Sequence, residues 1–146
     1  MHRQISREVV YLLDTNVVSE LRRPKPHGAV LAWLHGVRDA DLHLAAVTLG
    51  EIQAGIELTR EQDVAKADQI EAWLDAVAHC WNVLPMDGET FRLWARLMHG
   101  RSDRLVEDAM IAATAMVRGL ILVTRNVRDF RHFGIETLDP FSPPRL

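Results

Sequence analysis

Five short apolar runs, Glu8–Leu13, Asp41–Val47, Asn82–Met86, Leu120–Thr124 and Glu136–Leu138, punctuate the chain. The segments between them carry apolar residues at helical spacing. Strands that alternate with helices must return by crossovers, so the pattern predicts an α/β fold: a mainly parallel central sheet with helices on both faces, in three layers. Helices are expected over 15–22 (stopping at Pro24), 28–35, 48–59, 61–81, 88–98 and 105–118, with a helical turn at 127–133. The 61–81 segment aligns Val64, Ala67, Ile70, Trp73, Leu74 and Val77 on one side. Gly119 stands where a helix ends in a left-handed residue. The 146 residues suit a single domain over 1–146, its motif-bearing core about 9–140.

Composition removes several classes. One cysteine, Cys80, has no partner for a disulfide. The 17 basic and 20 acidic residues give a net charge of −3, which is not the balance of a strongly basic nucleic-acid binder. Fifteen of the 17 cations are Arg, through codon bias or because guanidinium forks suit phosphates. No apolar run approaches the roughly 18 residues of a membrane helix. The start MHRQISREVVYLL lacks a small-residue cleavage site. A cytoplasmic protein without membrane contact is expected. Glycine-rich phosphate loops and the G-x-S-x-G string are absent. The histidines at 2, 27, 35, 43, 79, 99 and 132 form no H-x-x-x-H pair, which argues against zinc. Trp33, Trp73, Trp81 and Trp94 fall on or beside apolar helix faces and read as core.

Ligands of open parallel sheets bind beyond the carboxyl ends of the strands. In this chain acidic residues stand just past those ends. Asp14 comes after the first strand, Glu51 after the second, and Thr124, Asn126 and Asp129 after the fourth. Each has a structural use: Asp14 as an N-cap, Thr48 and Glu51 as a T-x-x-E capping box, Asn126 with Asp129 as a cap of the next turn. Asp108 resists that reading, because Ala109–Val117 is apolar on nearly every side and such helices are buried. A buried carboxylate needs a cation. Arg104, four residues earlier, is one partner and a metal is the other. Glu107 reads as a solvated edge that competes for the role. Carboxylates converging at one sheet end, with oxygen donors alone, suit Mg²⁺ or Mn²⁺.

LLDTNVVSEL, TLGEIQAGIEL, EDAMIAATAMVRGLILVTRN and RNVRDF, in that order, resemble a PIN-domain ribonuclease. More narrowly, they resemble the VapC or FitB-type toxin of a type II toxin–antitoxin pair, from about Val9 to Pro140. The resemblance implies a PIN-like (RNase H-like) fold and an acidic quartet at Asp14, Glu51, Asp108 and Asp129. It puts the polar residues Thr15, Asn16, Thr124 and Asn126 in the same site. It also implies a Mg²⁺-dependent endoribonuclease leaving 5′-phosphate and 3′-hydroxyl ends, with Asp14 and Asp108 holding the metal and Glu51 and Asp129 joining directly or through water. The implied partners are RNA, a VapB/FitA-like antitoxin along the helices between Thr48 and Trp81, a second copy of the chain, and operator DNA through the antitoxin. Arg92, Arg96, Arg101, Arg104, Arg125 and Arg128 are candidates for the RNA backbone. The family's closing Asn-Pro is Asp139-Pro140 here. The alternatives are an inactive PIN-type binding module and an aspartate-based phosphatase or phospho-acceptor. Asn16, where a phosphatase of that type needs a second Asp, counts against the latter.

Overall fold

The computed structural model describes residues 9–142. The start of the first expected strand at Glu8 and the end of the proline-rich tail, 143–146, lie outside the described residues. Five strands, β1 (Tyr11–Leu13), β2 (Leu42–Ala45), β3 (Asn82–Leu84), β4 (Ile121–Val123) and β5 (Thr137–Leu138), form one sheet in the order β3-β2-β1-β4-β5. Every pairing is parallel. The α-helices among the described residues are α1 (Thr15–Glu20), α2 (Gly28–His35), α3 (Ala46–Arg60), α4 (Val64–Cys80), α5 (Gly88–Met98), α6 (Val106–Arg118) and α7 (Val127–Phe130).

The central strands β1, β2 and β4 are apolar but for His43, because both faces of the sheet are covered there. Leu12, Ala45 and Leu122 pack on one face with Ala109, Ile111, Ala112 and Ala115 of α6 and Phe130 of α7. Leu13, Leu44 and Val123 pack on the other with Val17 and Val18 of α1 and Val30 of α2. The third cluster, Ile56 with Ala67, Ile70 and Leu74, joins α3 to α4. All four tryptophans pack against these clusters. No helix among the described residues is long and apolar enough to cross a membrane.

The strands are shorter than their apolar runs, and one boundary moves with consequence. The second expected strand, 41–47, ends at Ala45, and Ala46 and Val47 open α3. Apolar residues in a buried helix and a buried strand look alike in sequence, so tertiary context decides. Thr48 and Glu51 consequently stand inside α3. Its N-cap is Ala45, which makes no side-chain cap bond. The expected capping box does not form, and both side chains are released for other partners.

Candidate active site

The sheet order reverses at β1, so the crevice beyond its carboxyl ends opens where β1 and β4 lie side by side. Asp14 comes directly after β1. Its backbone N–H donates to the Val123 carbonyl at 2.9 Å, which ties it to the end of β4. The side chain is 4% exposed and fully engaged on one side. Oδ1 accepts from the Thr15 N–H at 2.8 Å and Oδ2 from the Thr124 hydroxyl at 2.8 Å. Thr124 is itself held by the Asn126 N–H, which donates to its Oγ1 at 2.9 Å. Asp14 is thus the N-cap of α1, as expected, while its second oxygen serves the site.

Thr15 carries the network across to α3. Its hydroxyl donates to Glu51 Oε1 at 3.1 Å and stands 3.0 Å from the Thr48 hydroxyl. Spacing i, i+3 puts Thr48 and Glu51 on one face of α3, turned to Thr15. Thr48, fully buried, belongs to the site although its sequence context points only to a cap. The T-x-x-E spacing is the one signal that could have found it.

Asp108 lies in the first turn of α6 and is half-buried. That corrects the expectation of a carboxylate deep in an apolar helix: the apolar run begins after it, and the helix N-terminus favours a negative charge there. Arg104, the alternative to a metal as its partner, forms no ion pair with it among the described residues. Burial, reinforced by the charges of Asp14, Asp129 and Glu107, pushes the Asp108 carboxyl up to about 6 against an ordinary 3.8; Arg104 opposes this only weakly. Burial also raises Glu51, offset by the Thr15 bond and reinforced by Asp14, Glu107 and Asp108. Burial raises Asp14 too, against its bonds from Thr124 and Thr15.

Asp129 is exposed and reaches the group through its charge on Asp108. Asn126 makes no side-chain cap bond, so the expected Asn126–Asp129 cap is absent. Asn16 Oδ1 accepts the Arg125 N–H at 3.3 Å and stands beside the carboxylates without bonding them. Among the described residues, no three His, Cys, Asp or Glu side chains already cluster as a metal-ligand set. Beside Glu51 a cavity of about 350 Å³ opens between α1, α3 and α4, lined by Thr15, Arg22, Glu51, Ile56, Ile70 and Trp73 among others. Arg22 and Trp73 give no sequence signal of this role, because the cavity exists only once α1 packs on the α3–α4 pair.

Comparison with known proteins agrees with this architecture. The PIN domain family model matches residues 11–136. A VapC ribonuclease of Sinorhizobium fredii is 33% identical over 90% of this chain and 98% of its own length. Toxin FitB of Neisseria gonorrhoeae is 30% identical over 89% and 97%. The crystal structure of FitAcB from the same organism superposes with a TM-score of 0.79 at 29% identity, covering 90% of this chain and 99% of that one. A structure of FitAB bound to a DNA fragment gives 0.71 at 28% identity, covering 93% and 99%. The chain belongs to the PIN domain family, in the branch of the VapC and FitB proteins.

Proposed function

We propose that the protein is a Mg²⁺- or Mn²⁺-dependent endoribonuclease and the toxin half of a toxin–antitoxin pair. The observation that carries this reading is the crowding of carboxylates around Asp14: its charge raises the proton affinity of both Glu51 and Asp108, Asp108 raises that of Glu51, and Asp129 raises that of Asp108. Such a group is relieved by a hard divalent cation. The donors are oxygens alone, which fits Mg²⁺ or Mn²⁺. Asp14 and Asp108 would hold the ion, with Glu51 and Asp129 joining directly or through water. Bound there, a divalent ion supplies Lewis-acid polarisation of a phosphate and a more acidic water.

The chain's own residues prepare that chemistry. Thr15 N–H and Thr124 Oγ hold the Asp14 carboxylate in one orientation, and the Thr15 hydroxyl does the same for Glu51. Thr15, Asn16 and Asn126 would orient a phosphate oxygen or the attacking water, whereas Thr124, buried with its hydroxyl committed to Asp14, acts through that carboxylate. A histidine base is not needed. An aspartate-based phosphatase is poorly served, since Asn16 replaces its general acid and is tied to the Arg125 backbone. The relatives named ribonucleases and the FitAB complexes support RNA and an antitoxin as partners. The cavity beside Glu51 is the groove where we place the antitoxin. A homodimer, and operator DNA reached only through the antitoxin, complete the reading.

Purified antitoxin-free protein is expected to cut total RNA with Mg²⁺ or Mn²⁺. Asp14→Asn and EDTA are each expected to abolish cleavage. A fully active Asp14→Asn protein overturns the assignment, and a folded wild type that cuts no RNA shifts it to a binding module.

A further inference from the structure

A second cavity, about 220 Å³, lies along α1 and meets the groove beside Glu51 at Ser19, which lines both. Asn16, Ser19, Glu20, Arg23, Arg125 and Phe141 line it. The first four have i, i+3, i+4, i+7 spacing, one face of α1 and the turn that continues it. Arg125 immediately succeeds Thr124, the residue bonded to Asp14, and its backbone is held by Asn16. The guanidinium of Arg125 lies over the Phe141 ring, 4.5 Å from its centroid. Phe141 is in turn fastened by its N–H to Asp139 Oδ1 at 2.9 Å and by the His27 ring at 5.4 Å.

Stacking uses the flat face of a guanidinium and leaves its in-plane N–H donors open to an anion. Among the described residues, no carboxylate pairs with Arg125. The buried Glu20 is answered by Arg23 at 3.7 Å and by the His27 N–H at 3.3 Å. The cavity therefore presents one stacked, uncommitted cation, a second cation at its rim, a hydroxyl and an amide, a set suited to a phosphodiester.

We propose that Asn16, Ser19, Arg23 and Arg125 bind a backbone phosphate of the RNA beside the cleaved bond, with Phe141 as the positioning residue for Arg125. This rests on the ribonuclease reading above. The test measures binding of a single-stranded RNA oligonucleotide to protein carrying Asp14→Asn, across a KCl series, and cleavage kinetics in the otherwise wild-type background. Arg125→Gln and Arg23→Gln should each reduce the salt slope, and the double variant by about 0.7 in all, the share of the one single-strand phosphate they hold together. KM should rise about 5-fold at unchanged kcat, the worth of an exposed ion pair. Phe141→Leu should raise KM while keeping the slope and the melting temperature, and Phe141→Tyr, which keeps the stacking face, should hold KM at the wild-type value; a melting temperature that falls with the rise in KM would mark a merely space-filling role. Unchanged slopes in both Arg variants, with the wild type still cutting RNA, overturn the subsite alone and leave the cavity to a peptide partner. Slopes that fall in a protein that binds but never cuts RNA support the subsite and overturn the ribonuclease reading. A wild type that neither binds nor cuts RNA overturns both.

Discussion

At the scale of single residues, the site depends on two threonine hydroxyls more than on any charge pair. Thr124 Oγ1 donates to Asp14 and accepts from Asn126 N–H, in a position with no exposure. Thr124→Val keeps the shape and removes the donor. It should cost about 1–3 kcal/mol, because a buried carboxylate oxygen loses its partner. Asp14 should then hold its proton to higher pH, since the bond that lowers its pKa is gone. A urea melt reads the first effect and the pH profile of RNA cleavage the second; an unchanged midpoint and profile would show that Thr124 has no hold on Asp14. Thr15 works the same way toward Glu51, and both hydroxyls were legible in the sequence as site positions. Thr48 was not, because a T-x-x-E string has two uses and only the start of α3 at Ala46 decides between them.

At the scale of elements, α6 couples the site to the core. Its body, Ala109 to Ala115, is buried against the sheet, while its first turn holds Glu107 and Asp108 at the sheet's acidic end. The helix stops at Gly119, whose φ of +67° is left-handed and whose N–H closes onto Met116 O at 3.3 Å. An added Cβ there meets nothing within 4 Å, so Gly119→Ala tests the conformation alone. It should destabilise by about 1 kcal/mol. Gly50, inside α3 and equally open, gives the opposite sign: Gly50→Ala should stabilise by about 0.5–1 kcal/mol. Thermal unfolding of the two variants checks the pair, and equal shifts in one direction would sink the argument.

At the scale of the whole molecule, the sheet concentrates carboxylates that repel, so stability and pH are linked through them. Asp108 is raised to about 6 in the folded chain from an ordinary 3.8, and Asp14 and Glu51 are raised as well. Between those values the folded form binds more protons than the unfolded one, so its stability must fall as pH rises. The contribution is complete below about 3.8 and lost above about 6. In EDTA, the melting temperature should therefore drop between about pH 4 and pH 6, and Asp108→Asn should remove most of that slope. Mg²⁺ should reverse it at pH 7, adding about 2.7 kcal/mol at a hundredfold excess over Kd, and should add nothing to Asp14→Asn. A melting temperature at pH 7 that Mg²⁺ leaves unmoved would remove the metal from the account.

What the sequence determined by itself is everything that repeats over short distances. Short continuous apolar runs alternating with helical periodicity specified a parallel α/β fold, because run length and a period of 3.6 are properties of neighbouring residues. Gly119 ended its helix for the same local reason. Motif strings placed Asp14, Glu51 and Asp108 in one family pattern. Only the tertiary structure decided the strand order, and with it that Thr124 lies against Asp14 although 110 residues separate them. It turned Glu51 from a cap into a partner of Thr15, half-exposed Asp108 at the mouth of its helix, and brought Phe141 over Arg125. Those contacts join segments distant in the chain, and their energies depend on packing and burial that no local pattern records.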